Sequence, residues 1–469
     1  MLRKIRIAVE MIFLLLIFIL FLGIVTAPHL TWLAHIQLVP ALLAGHFVTV
    51  AVILLVTLVT GRVYCSSICP LGATNDVIGR ILRPKKKQRM KNGYSKSYAI
   101  VRIPVFVLFA LLLVFGAVSL AGLISPYSIF GRLIALATAP SSTANVIAGI
   151  VTLVVIVSFA YFGTRAWCNT VCPVGTFLGF ISKFSLFRVK FKDDKCVECG
   201  LCSRACKCSC IDFKNHKIDA SRCVLCFDCV SACHNDAMTY GPVLPKSKKD
   251  AARTEADGAG RRNFLSTAAL MTLSAAAGKL ALAQEGDGGL APIIPKKSPG
   301  RDSQIIPPGA KSFKNMADKC TACQLCVSAC PSHILRPATD LVSLMEPRLN
   351  YEYGYCRPEC NVCSQVCPTH AIENITVEQK SSISIGHAVW IKDLCLSAIG
   401  EAQCDNCSYH CPSGAIIMVP LSVEEPDSRF VPSIDTDLCI VCCACENLCP
   451  ARPVSAIHVE GHKTHINLD

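Results

Sequence analysis

The sequence RVYCSSICPLG, from Arg62 to Gly72, recurs as RAWCNTVCPVG from Arg165 to Gly175, and this repeat governs the predicted fold. In each copy two cysteines stand four residues apart before a proline, and residues at this spacing lie on one face of a helix. An internal repeat of this kind predicts two similar halves about an axis along a membrane normal. That symmetry would bring together four cysteines, Cys65, Cys69, Cys168 and Cys172.

Four thiolates at one place suit an iron–sulfur centre or a zinc ion. Disulfide bonds are disfavoured because the motifs are expected at the cytoplasmic surface. The alternative is that each Cys-x3-Cys-Pro motif only shapes the end of a helix.

Four apolar runs predict membrane-spanning helices, since roughly 20 apolar residues cross a bilayer. The chain is 52% hydrophobic, with a mean hydropathy of +0.46. The basic loop from Arg80 to Lys96 predicts that both ends of this four-helix domain face the cytoplasm, and the loop after the third run carries only Arg132. A Phe-rich stretch at residues 177–187 is expected along the interface. The four runs cover about residues 7–27, 38–60, 100–123 and 146–162.

Two cysteine groups of the form C-x2-C-x2-C-x3-C follow, and this spacing is typical of two-cluster ferredoxins. In that pattern the fourth cysteine of each group ligates the cluster held by the other group. Zinc sites normally use pairs of cysteines rather than triplets plus one. Lys207 and His234 stand where proline is usual, and Cys208 and Cys210 are extra, so either could replace Cys206. The expected ligands are Cys196, Cys199, Cys202, Cys206, Cys223, Cys226, Cys229 and Cys233.

The sequence RRNFL at Arg261–Leu265, with a weakly apolar run to Ala283, indicates a twin-arginine export signal, a type of segment that exports folded cargo. The alternative is a fifth membrane helix flanked by two positive charges, and the two interpretations coincide if the segment is a signal anchor. Cleavage between Ala283 and Gln284 would free the remainder of the chain, and retention is favoured. Linkers rich in small and polar residues flank the segment, at 241–260 and 284–310.

The last part of the chain has four further cysteine groups, each ending in C-x3-C-Pro. Disulfide bonds are the natural alternative outside the cytoplasm, but a disulfide framework has no reason to repeat this ferredoxin motif four times. The second and third groups have wider spacing, which suggests that they pair and that the first pairs with the fourth. Cys443 is left over as a packing thiol. The four groups are Cys320, Cys323, Cys326 and Cys330; Cys356, Cys360, Cys363 and Cys367; Cys395, Cys404, Cys407 and Cys411; and Cys439, Cys442, Cys445 and Cys449.

The predicted fold is an α-helical membrane domain of four helices in two repeated hairpins, a fifth signal-anchor-like helix, and two α+β ferredoxin-like domains. The expected boundaries are 1–190 for the membrane domain, 191–245 for a cytoplasmic two-cluster domain, 246–310 for the linker and signal helix, and 311–469 for a periplasmic four-cluster domain. The net charge of +13 does not indicate nucleic-acid binding, because much of it borders the apolar runs and sets topology. No nucleotide-binding loop or nucleophile elbow occurs in the sequence.

These motifs resemble two families found together in periplasmic nitrate reductase systems. Residues 1 to about 240 resemble the membrane quinol-dehydrogenase subunit NapH, with four spans, two Cys-x3-Cys-Pro motifs and a two-cluster tail. Residues from about 261 onward resemble the twin-arginine-exported, four-cluster NapG/MauM proteins. Similar membrane modules occur in nitrous-oxide and organohalide respiration and in methylamine oxidation.

The resemblance implies a menaquinol-oxidising electron-transport protein of anaerobic respiration in the bacterial inner membrane. It would carry six 4Fe–4S clusters, two cytoplasmic and four periplasmic, with a further iron or iron–sulfur centre at the Cys-x3-Cys-Pro cysteines. It would feed a periplasmic reductase or electron carrier as part of a larger respiratory complex. The alternatives are a wire from a cytoplasmic ferredoxin-like donor, and an assembly or regulatory factor for a partner metalloenzyme.

The quinone site is the least defined part of this prediction. His29, His35, Gln37 and His46 lie near the outer ends of the first two spans, where an imidazole could accept a quinol proton. The alternatives are histidines that pack helices or bind haem.

Overall fold

The computed structural model describes residues 2–22, 30–82, 93–95, 99–138, 143–242, 295–340, 343–422 and 428–467. His29 and the whole predicted twin-arginine segment therefore lie outside the described residues. Residues 1–242 and 296–469 together form one compact unit. Three parts of it are named here: the helical domain (2–182), the short cysteine module (187–242) and the long cysteine domain (295–467).

Among the described residues of the helical domain, the repeat recurs as two sets of six helices. In each set a long apolar helix leads into a short helix with the first motif cysteine, and the next helix begins at the motif proline, which suits the first position of a helix. Helix α6 packs on α10 and helix α12 packs on α4, so each half closes against the other. The first set is α1 Leu2–Leu22, α2 Trp32–His35, α3 Leu38–Leu43, α4 Phe47–Thr60, α5 Tyr64–Ser67 and α6 Pro70–Leu82. The second set is α7 Ala99–Val114, α8 Val118–Gly122, α9 Pro126–Thr138, α10 Thr143–Phe162, α11 Ala166–Thr170 and α12 Pro173–Ser182.

Two of the predicted apolar runs are not continuous helices, which corrects the prediction for residues 38–60 and 100–123. The breaks contain Gly45 and Gly116, with φ of +75° and +74°. A glycine in the left-handed region ends a helix because other residues rarely adopt that conformation. Among the described residues, α1 is the one helix that is long and apolar enough to cross a membrane by length and composition. Residues 177–187 form the end of α12 and the start of a strand.

The short module has the α+β character expected of it. Its first and last strands pair antiparallel, and a second small hairpin lies between them. Its elements are β1 Phe187–Phe191, a 3-10 turn at Asp193–Lys195, α13 Leu201–Ala205, β2 Ile211–Asp212, β3 Lys217–Ile218, α14 Asp228–Ala232 and β4 Met238–Pro242.

In its described residues, the long domain combines short helices with three antiparallel strand pairs. Its longest pair joins β7 to β10, with an irregularity in register between Gly461 and Ile466. The first part is α15 Phe313–Lys319, α16 Leu325–Ala329, β5 Leu335–Pro337, β6 Pro347–Leu349, α17 Val362–Gln365, α18 Val377–Ser381 and β7 Ile383–Trp390. The second is a 3-10 turn at Lys392–Leu394, α19 Leu396–Ile399, α20 Asn406–Tyr409, β8 Ile416–Pro420, β9 Phe430–Ile434, α21 Ala444–Leu448 and β10 Ile457–Asn467.

Helix α1 touches the short module at its start and the long domain at its end. In its first turn, Arg3 Nε lies 2.7 Å from Asp228 Oδ1 of the short module. Near its last turn, Phe21 belongs to the same buried apolar cluster as Leu325 of the long domain. A helix of 21 residues is about 31 Å long. The two cysteine-rich parts are therefore separated by about this distance along α1.

The long domain packs directly on α8 and α9. Ser128 Oγ donates a hydrogen bond to the Thr321 carbonyl at 2.7 Å. A Cβ at Gly122 would lie 2.1 Å from that carbonyl oxygen, and a Cβ at Gly131 would lie 2.0 Å from the Cys323 carbonyl oxygen. Glycine at both positions permits this close approach, because any larger residue would collide with the backbone.

Candidate iron–sulfur sites

The four cysteines of the repeat are all buried and lie close together in the helical domain. Cys65 lies on α5, Cys168 lies on α11, and Cys172 caps the start of α12. Burial, followed by the neighbouring sulfurs of Cys168, Cys69 and Cys65, raises the pKa of the Cys172 thiol. A metal bound by these four thiols would stabilise their deprotonated form. The predicted four-cysteine group is therefore present as a spatial cluster.

The arginine of each motif copy donates a hydrogen bond to the backbone of the other copy. Arg165 Nη1 donates to the Cys65 carbonyl at 2.8 Å, and Arg62 Nη2 donates to the Cys168 carbonyl at 3.3 Å. Each arginine thus holds the backbone of the first cysteine in the other copy. The sequence interpretation overlooked both arginines, although each stands three residues before the first cysteine of its copy.

The glycine that ends each motif leaves space for the arginine that makes this hydrogen bond. A Cβ at Gly72 would lie 2.5 Å from Arg165 Nη1, and a Cβ at Gly175 would lie 2.9 Å from Arg62 Nη2. The same atoms would also collide with the carbonyls that the arginines hold. The pattern R-x2-C-x3-C-P-x-G is thus explained residue by residue.

Arg62 is fully buried, and among the described residues none of its hydrogen-bond acceptors is a carboxylate. It donates to Asn169 Oδ1 at 3.0 Å and to the Ser221 carbonyl at 2.8 Å. Its Nη2 also lies 3.8 Å from Cys65 Sγ. Buried charges are normally paired or bound to metals. The four-cysteine cluster supplies a matching negative charge if its thiolates hold an anionic metal centre.

Arg165 has ordinary counter-ions instead. Its Nε lies 2.9 Å from Asp76 Oδ1, and its Nη2 lies 3.3 Å from Glu10 Oε1. Burial raises the pKa of the Asp76 carboxyl, but Arg165 and Lys207 outweigh burial and hold that pKa well below its usual range. Lys207 comes from the short module, and its Nζ lies 2.9 Å from Asp76 Oδ2 and 3.4 Å from Asp228 Oδ2. The lysine that replaces the usual proline after Cys206 therefore ties the short module to the helical domain.

The short module places its eight predicted ligands in two crossed groups. One cavity is lined by Cys196, Cys199, Cys202 and, from the other motif, Cys233. Conversely, Cys229 lies within electrostatic range of Cys226, Cys223 and, from the other motif, Cys206. The fourth cysteine of each motif thus joins the triplet of the other, as the two-cluster pattern predicts.

One extra cysteine of the short module lies close to a predicted ligand. Cys210 Sγ is 3.5 Å from Cys206 Sγ, and a hydrogen bond from Cys210 lowers the pKa of Cys206 to about 7. Cys206 is therefore the better thiolate of the two at neutral pH.

The long domain also crosses its cysteine groups, but between sequence neighbours. One cavity is lined by Cys356, Cys360 and Cys363 with Cys330 of the first group, and another by Cys395, Cys404 and Cys407 with Cys449 of the fourth group. Reciprocally, Cys326 lies near Cys323, Cys320 and Cys367, and Cys442 lies near Cys411 and Cys439. The first group pairs with the second and the third with the fourth. The predicted pairing of second with third and first with fourth is wrong.

The ligand pattern fits clusters better than single zinc ions. All 31 cysteines are described and none is disulfide-bonded. Zinc sites normally use two pairs of cysteines, whereas each of these cavities combines three cysteines of one group with the last cysteine of another. Three-plus-one ligation of this kind is typical of ferredoxin clusters.

Comparison with protein families and curated proteins finds iron–sulfur domains in this chain. A model described as "4Fe-4S binding domain" matches residues 44–89 and 145–192, one in each half of the helical domain, and a "4Fe-4S dicluster domain" model matches residues 219–334. The chain contains 4Fe–4S ferredoxin domains. The prediction of such domains is thereby confirmed.

Several curated proteins are similar to parts of this ferredoxin-type chain. An uncharacterised protein of Methanocaldococcus jannaschii is 26% identical over 208 residues, which cover 43% of this chain and 74% of that protein. The putative electron transport protein YccM of Escherichia coli is 25% identical over 226 residues, 45% of this chain and 60% of YccM. The ferredoxin-type protein NapG of Escherichia coli is 31% identical over 157 residues, 31% of this chain and 66% of NapG. The chain is thus an iron–sulfur electron-transfer protein homologous to ferredoxin-type proteins.

The ferredoxin groups and the four-cysteine cluster follow one another through the molecule. In the long domain, Cys356 N donates to the Cys442 carbonyl at 3.0 Å, so the second and fourth groups touch. The first group faces the helical domain, where Tyr127 lies within electrostatic range of Cys323, Cys367 and Tyr64. Tyr64 in turn lies near Cys69 of the four-cysteine cluster. Two buried tyrosines therefore lie between that cluster and the first ferredoxin group of the long domain.

The predicted quinone residues are only partly brought together. His35 and His46 are neighbours, with ring centroids 4.9 Å apart. Gln37 Oε1 instead accepts a hydrogen bond from Tyr64 Oη at 2.9 Å. The sequence interpretation missed His370 of the long domain, whose ring stacks on His35 with centroids 5.5 Å apart. Its position three residues after Cys367 offered no signal, since only the fold places it beside α2.

Proposed function

We propose that this protein spans the bacterial inner membrane, oxidises menaquinol and passes the electrons through 4Fe–4S clusters to a periplasmic reductase or electron carrier. The observation that carries the proposal is the position of α1, which runs from the short module at Arg3 to the long domain at Phe21. Its length of about 31 Å equals the hydrocarbon thickness of a bilayer, about 30 Å. Two sets of clusters at the ends of one membrane-length helix are what transmembrane electron transfer needs.

Exposed apolar side chains on three further helices support the membrane location. On α4, Val52 and Leu55 are 55% and 63% exposed, and on α10, Ile147 and Val154 are 62% and 58% exposed. Helix α7 likewise exposes Ile103 and neighbouring apolar residues. Helix faces that expose several apolar side chains together are unfavourable in water and favourable in lipid.

The sidedness follows from charge and from the export signal. The basic loop at Arg80–Lys96 favours a cytoplasmic position for the short module. The twin-arginine segment would then carry the long domain, with its clusters already assembled, into the periplasm. We therefore place six 4Fe–4S clusters on the two faces, with a further iron or iron–sulfur centre at the four-cysteine cluster between them.

Menaquinol is proposed as the electron donor because the motifs resemble those of quinol dehydrogenases. A quinol delivers two electrons, and a row of one-electron centres separates them. The buried pair of Gln37 and Tyr64 places polar groups between the four-cysteine cluster and the long domain, and polar groups at membrane depth are functional candidates. Assembly with a reductase in a larger respiratory complex completes the proposal.

An EPR-monitored titration with a menaquinol analogue tests the donor. In purified protein with about 24 irons, four for each of six clusters, the analogue should reduce both the short-module and long-domain clusters. Failure to reduce any cluster would refute quinol oxidation. A protein with about eight irons would instead show that the long domain carries no clusters.

A second candidate is a wire that takes electrons from a cytoplasmic ferredoxin-like donor. The exposure of Cys199 at the surface of the short module favours this route, because a cluster there is accessible to a soluble partner. Reduction by a low-potential ferredoxin, with none by quinol, would establish it. If deletion of the gene leaves the partner metalloenzyme without its cofactor, the assembly-factor alternative is correct.

Protease accessibility tests the topology. In spheroplasts, an epitope at the C-terminus should be cleaved, whereas one in the loop at Arg80–Lys96 should be protected until lysis. Protection of both epitopes would place the long domain in the cytoplasm and refute the proposal.

A further inference from the structure

We propose that His35, His46 and His370 form a binding site for one first-row divalent metal ion, with Zn²⁺ as its simplest occupant. Each residue offers one ring nitrogen, and the three nitrogens lie within 4.8 Å of one another. Zinc binds histidine nitrogen at about 2.0–2.1 Å, which places tetrahedral ligands about 3.4 Å apart. Side-chain rotations that shorten the distances between the nitrogens by up to about 1.4 Å complete such a site.

The three histidines stand on three separate segments of the backbone. His35 is the last residue of α2, and His46 is the residue before α4, at the break that Gly45 produces. His370 follows the first pair of ferredoxin groups, three residues after Cys367. The three ligands therefore come from three separate segments that the fold holds in place, which is how preformed metal sites are built.

One imidazole is already arranged as a ligand. His35 Nδ1 is buried and has no hydrogen-bond partner among the described residues, whereas the Pro368 carbonyl forms a hydrogen bond with the same side chain. Metal-binding histidines usually donate their second ring nitrogen to a carbonyl or carboxylate, which fixes the tautomer. A buried nitrogen without a partner is unfavourable unless an ion or another group binds it.

The ligand set indicates the kind of ion. Three neutral imidazoles suit zinc, copper or nickel rather than calcium or magnesium, which prefer oxygen. The charged groups that act on His370 are Lys319 and Glu373, which oppose each other. Three protein ligands leave a fourth position for water.

A metal ion at this site would connect the helical domain to the long domain. His35 and His46 belong to the helical domain, and His370 belongs to the long domain, so an ion bound by all three crosses their contact. The inference is independent of quinol oxidation, because it concerns a fixed connection beside the first ferredoxin group. A quinone is the competing occupant for His35 and His46, but a ring inserted among nitrogens this close would push them apart.

The test measures Zn²⁺ binding to the full-length protein in detergent, purified without oxygen and with its clusters intact. Equilibrium dialysis with radioactive Zn²⁺ should show one site in the wild type. The His370→Asn and His46→Asn variants should bind Zn²⁺ at that site with an affinity at least about tenfold weaker. The matched control is His387→Asn, which changes a histidine whose Nδ1 lies 3.2 Å from His462 Nε2 within the long domain. X-ray absorption at the zinc edge should show nitrogen ligands at about 2.0 Å.

Iron content separates loss of the zinc site from misfolding, because both variants should retain the iron of the wild type. Equal Zn²⁺ uptake by wild type and His370→Asn would overturn the proposal, as would zinc bound through sulfur. Unchanged zinc uptake with loss of quinone-analogue binding in His46→Asn would overturn it as well, and would assign the histidines to the quinone.

Discussion

The buried charge of Arg62 gives a direct test of the four-cysteine cluster. Replacement of Arg62 by Met removes a cation whose Nη2 lies 3.8 Å from Cys65 Sγ. A positive charge stabilises the reduced, more negative state of a metal–thiolate centre. The variant should therefore have a lower reduction potential at this site.

The magnitude follows from Coulomb's law. The electron added to a cluster is shared over several atoms, so the effective separation is about 4–8 Å; at an effective dielectric constant of about 20, one charge then contributes about 2–4 kcal/mol. For a one-electron couple this corresponds to roughly 90–180 mV. Replacement of Arg62 by Lys keeps the charge and should shift the potential by less than half as much.

The measurement is a redox titration of the purified variant followed by EPR, with iron counted on the same sample. The Met side chain also leaves Asn169 Oδ1 without the donor that Arg62 supplies, at about 1–3 kcal/mol, whereas the Ser221 carbonyl keeps a hydrogen bond from Arg102 Nη2 at 3.2 Å. The iron count is therefore needed to confirm that the site is loaded. The clusters of the long domain serve as an internal control and should keep their potentials. A shift below about 30 mV at full iron content would refute the idea that this cation faces an anionic centre.

Three further outcomes are expected. In the long domain, Cys367→Ser should remove the cluster of the first cysteine group, and Cys330→Ser should remove the cluster of the second group, each with a loss of about four irons. Loss of iron from the third or fourth group in either variant would contradict the pairing of the first group with the second. Gly131→Val should loosen the contact between the helical and long domains, since its Cβ would lie 2.0 Å from a carbonyl oxygen. Limited proteolysis should therefore cleave between these domains faster in Gly131→Val than in the control Gly300→Val, whose Cβ would have no atom within 4 Å. The lowered pKa of Asp76 means that its carboxylate stabilises the folded state above the unfolded-state pKa of about 3.9, and that this stabilisation is lost as pH falls through the lower folded-state pKa. The thermal unfolding temperature of Asp76→Asn should therefore depend less on pH below about 4 than that of the wild type. Identical pH dependence of the two proteins would contradict the role given to Asp76.

The ferredoxin groups show which features of the protein depend only on residues close together in the sequence. A triplet such as Cys196, Cys199 and Cys202 wraps one corner of a cluster with a few residues of backbone, so its spacing alone identifies the chemistry. The motif that organises the helical domain is local in the same sense, because the proline after Cys69 suits the first position of a helix. Ligand types and the internal repeat are therefore predictable from the amino-acid sequence.

The pairing of groups in the long domain is not predictable in this way. The wide spacing from Cys395 to Cys404 suggested a partner with a similarly wide motif, but the extra residues form a short helix and turn at the surface. The fourth ligand of each cluster is chosen by which chain segments pack together, and β7 and β10 bring distant segments into register. Motif width carries no information about that packing.

The cysteine inventory, the apolar runs and the twofold motif follow from the order of residues along the chain, because each depends on residues within one or two helical turns or ligand loops. Packing between distant segments, by contrast, sets Arg62 against the four-cysteine cluster, ties Lys207 of the short module to Asp76, and joins His370 to His35 and His46. Lys207 lies 131 positions from Asp76, and His370 lies more than three hundred positions from the other two histidines. Arg62 stands three residues before Cys65 but also holds the Cys168 carbonyl, 106 positions away. Packing and the need to compensate buried charge and buried nitrogen select these partners.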